Sequence, residues 1–316
     1  MAWQNMINSV KENMEKVMVG KGLVTDLLLT ALAAGGHVLL EDVPGTGKTM
    51  MAKALAKSLD LTFARIQFTP DLLPSDVTGL NYFNQKKSEF VFRKGPVFTN
   101  ILLADEINRA TPRTQSSLLE AMEERQVTID GVTDQLEEPF FVIATQNPVE
   151  TAGTYPLPEA QLDRFLMELA MGYPDKGQEL AILDRFGADN PLTGLEPACT
   201  AGDLEELRHA ASLVYIHPVL KEYLVELVQA TRNDSRILNG VSPRGSLALY
   251  RASKAYALIQ GRNYVAPEDI KTLAVPVLAH RLTTASAFGL HASNREIVGQ
   301  LLSSVPLPTE NWSLGL

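Results

Sequence analysis

Val38-Leu39-Leu40-Glu41-Asp42-Val43-Pro44-Gly45-Thr46-Gly47-Lys48-Thr49-Met50-Met51 is the stretch on which the reading of this chain turns. An apolar run from His37 to Glu41 has a uniformly hydrophobic centre and predicts a strand buried on both faces, as in a parallel sheet. The segment from Met50 to Leu59 is rich in Ala, Leu, Met and Lys and contains no Gly or Pro, which predicts a helix. Between them lie Gly45 and Gly47, which let backbone N–H groups turn toward an anion at the positive end of that helix. Strand, glycine-bearing loop and helix are the context in which a phosphate loop works. Lys48 is placed to reach β- and γ-phosphates and the Thr49 hydroxyl to hold Mg²⁺. One position departs from the strict G-x-x-x-x-G-K-[ST] string: Asp42 stands where the first glycine belongs. A plain strand-to-helix turn is the alternative reading of this segment alone.

The 316 residues suffice for two domains with cores of their own. With 45% hydrophobic and 21% charged residues the composition is that of an ordinary soluble protein, and a cytoplasmic location is expected. A net charge of −9 argues against a nucleic-acid surface, although a local basic channel can hide in an acidic total. The single cysteine, Cys199, excludes an intrachain disulfide and a cysteine-rich zinc site. Met1 to Asn13 does not read as a signal peptide, and no apolar run approaches a membrane span.

Outward from the loop, residues 3–18 and 23–34 read as helices, the second capped by Gly35-Gly36. Thr62 to Phe68 reads as a strand. Thr69 to Leu80, punctuated by Pro70, Pro74 and Gly79, reads as a loop with at most a short helix. Two hairpins are expected as insertions. One runs through Tyr82-Phe83 and Glu89 to Phe92. The other turns at Asp130-Gly131.

Asn100-Ile101-Leu102-Leu103-Ala104-Asp105-Glu106 is the second chemical stretch. An apolar strand of a parallel sheet delivers its last residues to the edge where open α/β sheets bind ligands. Asp105 is then placed to hold Mg²⁺ through water, and Glu106 to polarise an attacking water. A buried strand ending in two solvated acids is the bland alternative, and it loses ground with a phosphate loop upstream. Phe140 to Asn147 is another buried strand with a polar end; Asn147 either orients the lytic water or caps a loop. Arg164, on spacing alone, is a surface residue with a salt bridge.

From Gly172 onward strand-like runs vanish, and helices are expected near 175–186, 202–212, 216–232, 243–260, 267–280 and 294–303. Asn190 to Thr200, with Pro191, Gly194 and Pro197, reads as the linker, so the domains are expected to be 1–189 and 190–316. Arg244 lies at a helix start after Ser242-Pro243. There it opposes the helix dipole and calls for a negative partner, either a γ-phosphate or a nearby carboxylate. His217, His280 and His291 adjoin no carboxylate pattern and read as structural or surface residues.

Taken together these strings resemble the MoxR branch of the AAA+ ATPases over nearly the whole chain. Asp42–Thr49 is similar to its Walker A segment, which tolerates an acidic residue at the first position. Leu102–Ala110 resembles its extended Walker B. Ala144–Pro148 is similar to sensor 1 with Asn147 as the sensor, Leu157–Phe165 to the arginine-finger segment with Arg164 as the finger, and Ser242–Arg244 to sensor 2. Val19-Gly20-Lys21 is similar to the segment lining the adenine pocket. The resemblance implies an α/β fold, a parallel-sheet phosphate-loop domain with helices on both faces followed by a small all-helical lid domain. It implies an ATP and Mg²⁺ site in which Val19, Gly20, Pro44, Gly45, Thr46, Gly47, Lys48, Thr49 and Met50 hold nucleotide, and Thr49 and Asp105 hold the metal. Glu106, Asn147, Arg164 and Arg244 then act in hydrolysis, with Arg164 reaching the neighbouring subunit's nucleotide. It further implies a hexameric ring, a chaperone-like remodelling role on protein clients, and a von Willebrand factor A domain partner, sometimes with metal insertion. A nucleotide-gated module with negligible turnover and a DNA translocase or helicase loader are the rival functions. The second is disfavoured by the acidic balance and by Asp130 at a hairpin turn.

Overall fold

Parallel strands that are apolar from end to end must be covered on both faces, and three such strands form the centre of the first unit. The computed structural model describes residues 2–41, 45–147, 153–187, 190–284 and 293–308. Two compact units divide the chain: residues 1–28, 37–157 and 169–206 form the first, and residues 29–36, 158–168 and 207–316 the second.

Helix α1 (Ala2–Val17) and helix α2 (Gly22–Ala33) precede strand β1 (Val38–Glu41), which runs into the loop and then helix α3 (Lys48–Ser58). Strand β2 (Phe63–Gln67) is followed by the short helix α4 (Pro74–Thr78) and the hairpin of β3 (Gly79–Asn84) with β4 (Glu89–Lys94). Strand β5 (Ile101–Asp105) leads through a 3₁₀ turn, Ile107–Arg109, into helix α5 (Pro112–Glu124). The second hairpin joins β6 (Gln126–Ile129) to β7 (Val132–Gln135) across Asp130 and Gly131, both at positive φ as a two-residue turn requires. Strand β8 (Phe141–Gln146), helix α6 (Glu159–Leu162), strand β9 (Met167–Leu169) and helix α7 (Lys176–Phe186) follow.

The sheet order is β2-β5-β8-β1-β9, and the pairs β2–β5, β5–β8 and β8–β1 are parallel. Val38 to Leu40, Ile101 to Ala104 and Phe141 to Ala144 are fully buried, so the core sits on these three central strands. Both inserted hairpins lie outside this sheet, as the sequence leads one to expect. They meet where Asn81 Nδ2 donates to Asp130 Oδ2 at 2.8 Å. The segment read as a linker is fastened to the first unit: Lys57 Nζ donates to Leu192 O at 2.9 Å, Asn13 Nδ2 to Glu196 O at 2.8 Å, and Ala198 N to Ser58 O at 2.8 Å.

The second unit contains helices α8 (Ala201–Leu213, from Leu207), α9 (Pro218–Asn233), α10 (Pro243–Ile259), α11 (Pro267–Leu278) and α12 (Asn294–Ser304). Its apolar centre includes Leu224, Leu227, Leu249, Ala252, Leu273 and Val277. It is not purely helical: β10 (Ile237–Asn239) and β11 (Thr283–Thr284) pair antiparallel. Strands of two or three residues are too short to show an alternation, which is why the sequence reads as helix and loop there. His217 caps α9 by accepting from Val219 N at 3.3 Å, and His280 is buried, so both are structural; His291 lies outside the described residues.

Candidate active site

Each strand of a parallel sheet ends at the same edge, and the chemistry-bearing residues are found there. Gly45 and Gly47 follow β1 with φ of 87° and 89°, a left-handed backbone that glycine adopts without steric cost. Gly47 is also the N-cap of α3, so its successors Lys48 and Thr49 open the helix. Asp105 is the last residue of β5, Gln67 the last of β2, and Asn147 follows β8.

These ends surround one cavity of about 690 Å³. Gly45, Gly47, Lys48, Thr49 and Met50 line it from the loop and α3. Asp105, Glu106, Thr145 and Asn147 line it from β5 and β8. A second cleft of about 260 Å³ shares Gly45, Gly47 and Met50 and adds Thr46, Val19 and the apolar Ile182 and Phe186 of α7. Gly20 sits between Val19 and Lys21 at φ 67°, and an added Cβ there would lie 2.2 Å from Gln178 Nε2. Pro44 lies outside the described residues.

Five residues that spacing did not single out also line the larger cavity: Arg65, Gln67, Thr69, Arg109 and Thr145. Arg65 Nη2 donates to Asp105 Oδ2 at 2.7 Å and to Gln67 Oε1 at 3.0 Å. Thr145 is fully buried; its hydroxyl donates to Asp105 Oδ1 at 2.6 Å and accepts from Glu106 N at 2.8 Å. Glu106 Oε2 accepts from Gln67 Nε2 at 2.7 Å and pairs with Arg109 Nε at 3.0 Å. Both acids are therefore held in place by side chains from β2, β8 and the turn after β5. The signal that could have found Arg65 and Gln67 is their position at the end of a strand with polar residues facing outward.

The oxygen donors Thr49 and Asp105 in one cavity suit a hard cation such as Mg²⁺, which takes one or two protein oxygens and leaves the rest to phosphate and water. No cluster of three or more His, Cys, Asp or Glu residues capable of holding a metal occurs among the described residues.

Arg164 and Arg244 belong to the second unit. Arg164 follows α6 in the segment from Asp163 to Leu166, which is clamped by the buried Arg281. Arg281 Nε pairs with Asp163 Oδ1 at 2.6 Å, its Nη2 donates to Phe165 O at 2.7 Å, and its Nη1 donates to Leu166 O at 3.2 Å. Burial lowers the Arg281 pKa, with Asp163 opposing and Arg244 adding to the effect. His280, beside it, has its pKa pushed well below the usual histidine value, first by burial and then by the Arg281 charge. Arg244 is exposed in the first turn of α10, behind the N-cap Ser242 whose hydroxyl accepts from Gly245 N at 3.4 Å.

Comparison with known proteins bears on this site. The family model described as "ATPase family associated with various cellular activities (AAA)" matches residues 37–167, and that of the AAA lid domain matches residues 229–301. The uncharacterized protein YeaC of Bacillus subtilis (strain 168) is 53% identical over 96% of each chain. Chaperone MoxR1 of Mycobacterium tuberculosis is 42% identical over 94% of this chain and 81% of its own. A crystal structure from Cytophaga hutchinsonii superimposes with a TM-score of 0.90 at 44% identity, covering 97% of this chain and 96% of that one. The sheet with its phosphate loop, the two acids at its edge and these near-full-length matches give one answer: the chain belongs to the MoxR family of AAA+ ATPases.

Proposed function

We propose that this ATPase hydrolyses ATP with Mg²⁺ in the cavity at the sheet edge and uses the energy as a ring-forming, chaperone-like remodeller of partner proteins. The observation that carries the reading is that Lys48, Thr49, Asp105, Glu106 and Asn147 line one cavity. Lys48 and the N–H groups after Gly45 and Gly47 bind phosphate, and Thr49 and Asp105 hold the metal, which when bound neutralises charge on the phosphates. Glu106 takes a proton from the attacking water and Asn147 orients that water. Arg244 within the chain and Arg164 from a neighbouring copy stabilise charge on the transferred group. Val19 borders the cleft that suits the base, and Gly20 follows it in the turn before Lys21, which also lines that cleft.

The division into a nucleotide-binding domain, 1–189, and a lid domain, 190–316, is part of this reading, supported by family matches on either side of the boundary. A hexamer, a von Willebrand factor A domain partner and metal insertion rest on the resemblance to the family, and a cytoplasmic location rests on the composition. No helix among the described residues is long and apolar enough to cross a membrane.

Steady-state phosphate release tests the assignment. Glu106→Gln is expected to lower turnover by about 10²–10⁴ while leaving nucleotide affinity in place. Turnover at the wild-type rate would remove Glu106 from the role of base. Mixing Arg164→Ala with Lys48→Ala subunits is expected to restore partial activity at shared interfaces. No recovery in rings shown to be mixed would overturn the role of Arg164 in trans.

A further inference from the structure

Arg65 borders two cavities. On one side it faces the nucleotide cavity, where its single nitrogen Nη2 makes both hydrogen bonds, to Asp105 and Gln67. On the other it lines a separate cavity of about 480 Å³ at the base of the β3–β4 hairpin, together with Arg93, Lys94, Leu80 and Asp76. Among the described residues Nε and Nη1 of Arg65 make no hydrogen bond, and the guanidinium of Arg93 makes none. Asp76, the one acid in the lining, is occupied locally: its Oδ2 accepts from Leu73 N at 2.9 Å. Arg65, Arg93 and Lys94 thus line the cavity beside one carboxylate, in a chain whose net charge is −9; of the three cations Arg65 is paired with Asp105 across the strand. That concentration of positive charge is local and anion-selective.

The hairpin base is rigidly built. A Cβ on Gly79 would lie 2.4 Å from Arg93 O, and one on Gly95 would lie 2.4 Å from Gly79 N, so the two backbones approach as only glycines allow. Directly opposed residues share a sheet face. Leu80 opposes Arg93 and Tyr82 opposes Val91, so the face that brings Arg93 to the cavity continues as an apolar strip. Leu80 and Tyr82 are 40% and 43% exposed. A lone phosphate would use the cations and leave this strip unused; an extended polypeptide would use both.

We propose that the cavity at the hairpin base binds an acidic side chain of an extended polypeptide, with an apolar neighbour two residues along lying on Leu80 and Tyr82. A carboxylate entering there takes a fork of Arg65 and Arg93 donors and draws Arg65 from Asp105, which is left to serve the metal. Peptide and Mg²⁺-nucleotide therefore strengthen each other's binding, and by linkage the two effects are equal. That the ligand is a polypeptide rests on the remodelling role proposed above.

The probe is a fluorescein-labelled peptide, Gly-Glu-Ala-Leu-Ala-Glu-Ala-Leu-Gly with blocked ends, titrated against the full chain by anisotropy. Its Glu-to-Gln counterpart is expected to bind at least about tenfold more weakly, as is the wild-type peptide to Arg93→Gln, since each change removes charge-assisted hydrogen bonds. Adding Mg²⁺ and a non-hydrolysable ATP analogue is expected to tighten peptide binding about fivefold, and Arg65→Gln to abolish that gain. Melting temperature and nucleotide affinity of Arg93→Gln should match wild type, which shows that the fold is intact. Equal binding of the two peptides, no effect of Arg93→Gln, or displacement of the peptide by an equal concentration of inorganic phosphate would each overturn the assignment. Phosphate release measured on the same sample separates the two ideas. Turnover without peptide binding sinks only this inference, and peptide binding without turnover sinks only the proposed hydrolysis.

Discussion

Replacing Arg281 by Met removes the guanidinium that ties residues 163–166 to the end of α11. Its side chain is 3% exposed, and it bonds the carboxylate of Asp163 and the carbonyls of Phe165 and Leu166, with further contacts to Val277 O and to His280 Nε2. Methionine fills much of the same volume, so the loss is mainly that of a partner for a half-buried carboxylate and for buried carbonyls. Removing one side of a fully buried pair costs about 3–5 kcal/mol. Asp163 retains 21% exposure, so water recovers part of that and the lower end, about 3 kcal/mol, is expected. For a unit of this size it corresponds to a fall in Tm of about 6–12 °C. Arg281→Lys keeps the charge but not the planar fork and should fall between the two. Thermal unfolding reads the stability, and hydrogen exchange reads the place: amides of 158–168 should lose protection in Arg281→Met before those of the central strands. A destabilisation below about 1 kcal/mol with unchanged exchange in that segment would refute the clamp.

His280 stays neutral in the folded protein because burial, then the Arg281 charge, hold its pKa well below the ordinary value, so the unfolded chain binds more protons as pH drops below about 6.5. Stability is therefore complete above that pH and lost as pH falls, with a slope of at most about 1.4 kcal/mol per unit, and His280→Gln should flatten the profile between pH 7.5 and 5.5; parallel profiles would sink the idea. Thr145→Val keeps volume but removes the hydroxyl that serves both Asp105 and Glu106 N. Phosphate release should drop about tenfold to a hundredfold, and an undiminished rate would show that the bridge is not needed. Two glycines should respond with opposite sign in thermal unfolding. Gly299→Ala lies in open space inside α12 and should stabilise by about 0.5–1 kcal/mol, whereas Gly95→Ala forces a Cβ to 2.4 Å from Val77 O and should destabilise by about 1–3 kcal/mol.

The parts of the site that the sequence made legible share one property: each sits where an apolar run stops. Leu40, Ala104 and Ala144 are the last fully buried residues of their strands or next to them, and in a parallel sheet such ends converge on one edge. Arg65 and Gln67 lie at the same edge, but their strand is half exposed, with the pattern of any outer strand. Only the order β2-β5-β8, which no local window contains, brings Gln67 beside Asp105 in register. Arg281 was hidden for the same reason at greater range: its carboxylate partner is 118 residues away, and an arginine after a helix usually reads as a solvated end.

Asp105 and Glu106 pose a further question that strand geometry sharpens. Adjacent residues of a strand point to opposite faces, so two consecutive acids should not serve one site. The chain avoids this by ending β5 at Asp105 and turning Glu106 into the left-handed region, φ 56° and ψ 50°. A non-glycine residue there costs about 1–2 kcal/mol, and glycine would avoid most of it. Glu106 N bonded to Thr145 Oγ1, with Gln67 and Arg109 on its carboxylate, offsets the strain and fixes the side chain in the cavity. A strained glutamate held by contacts from two neighbouring elements is hard to explain by folding alone. It is what a site needs if one acid is to hold a cation and the next is to reach a water beside it.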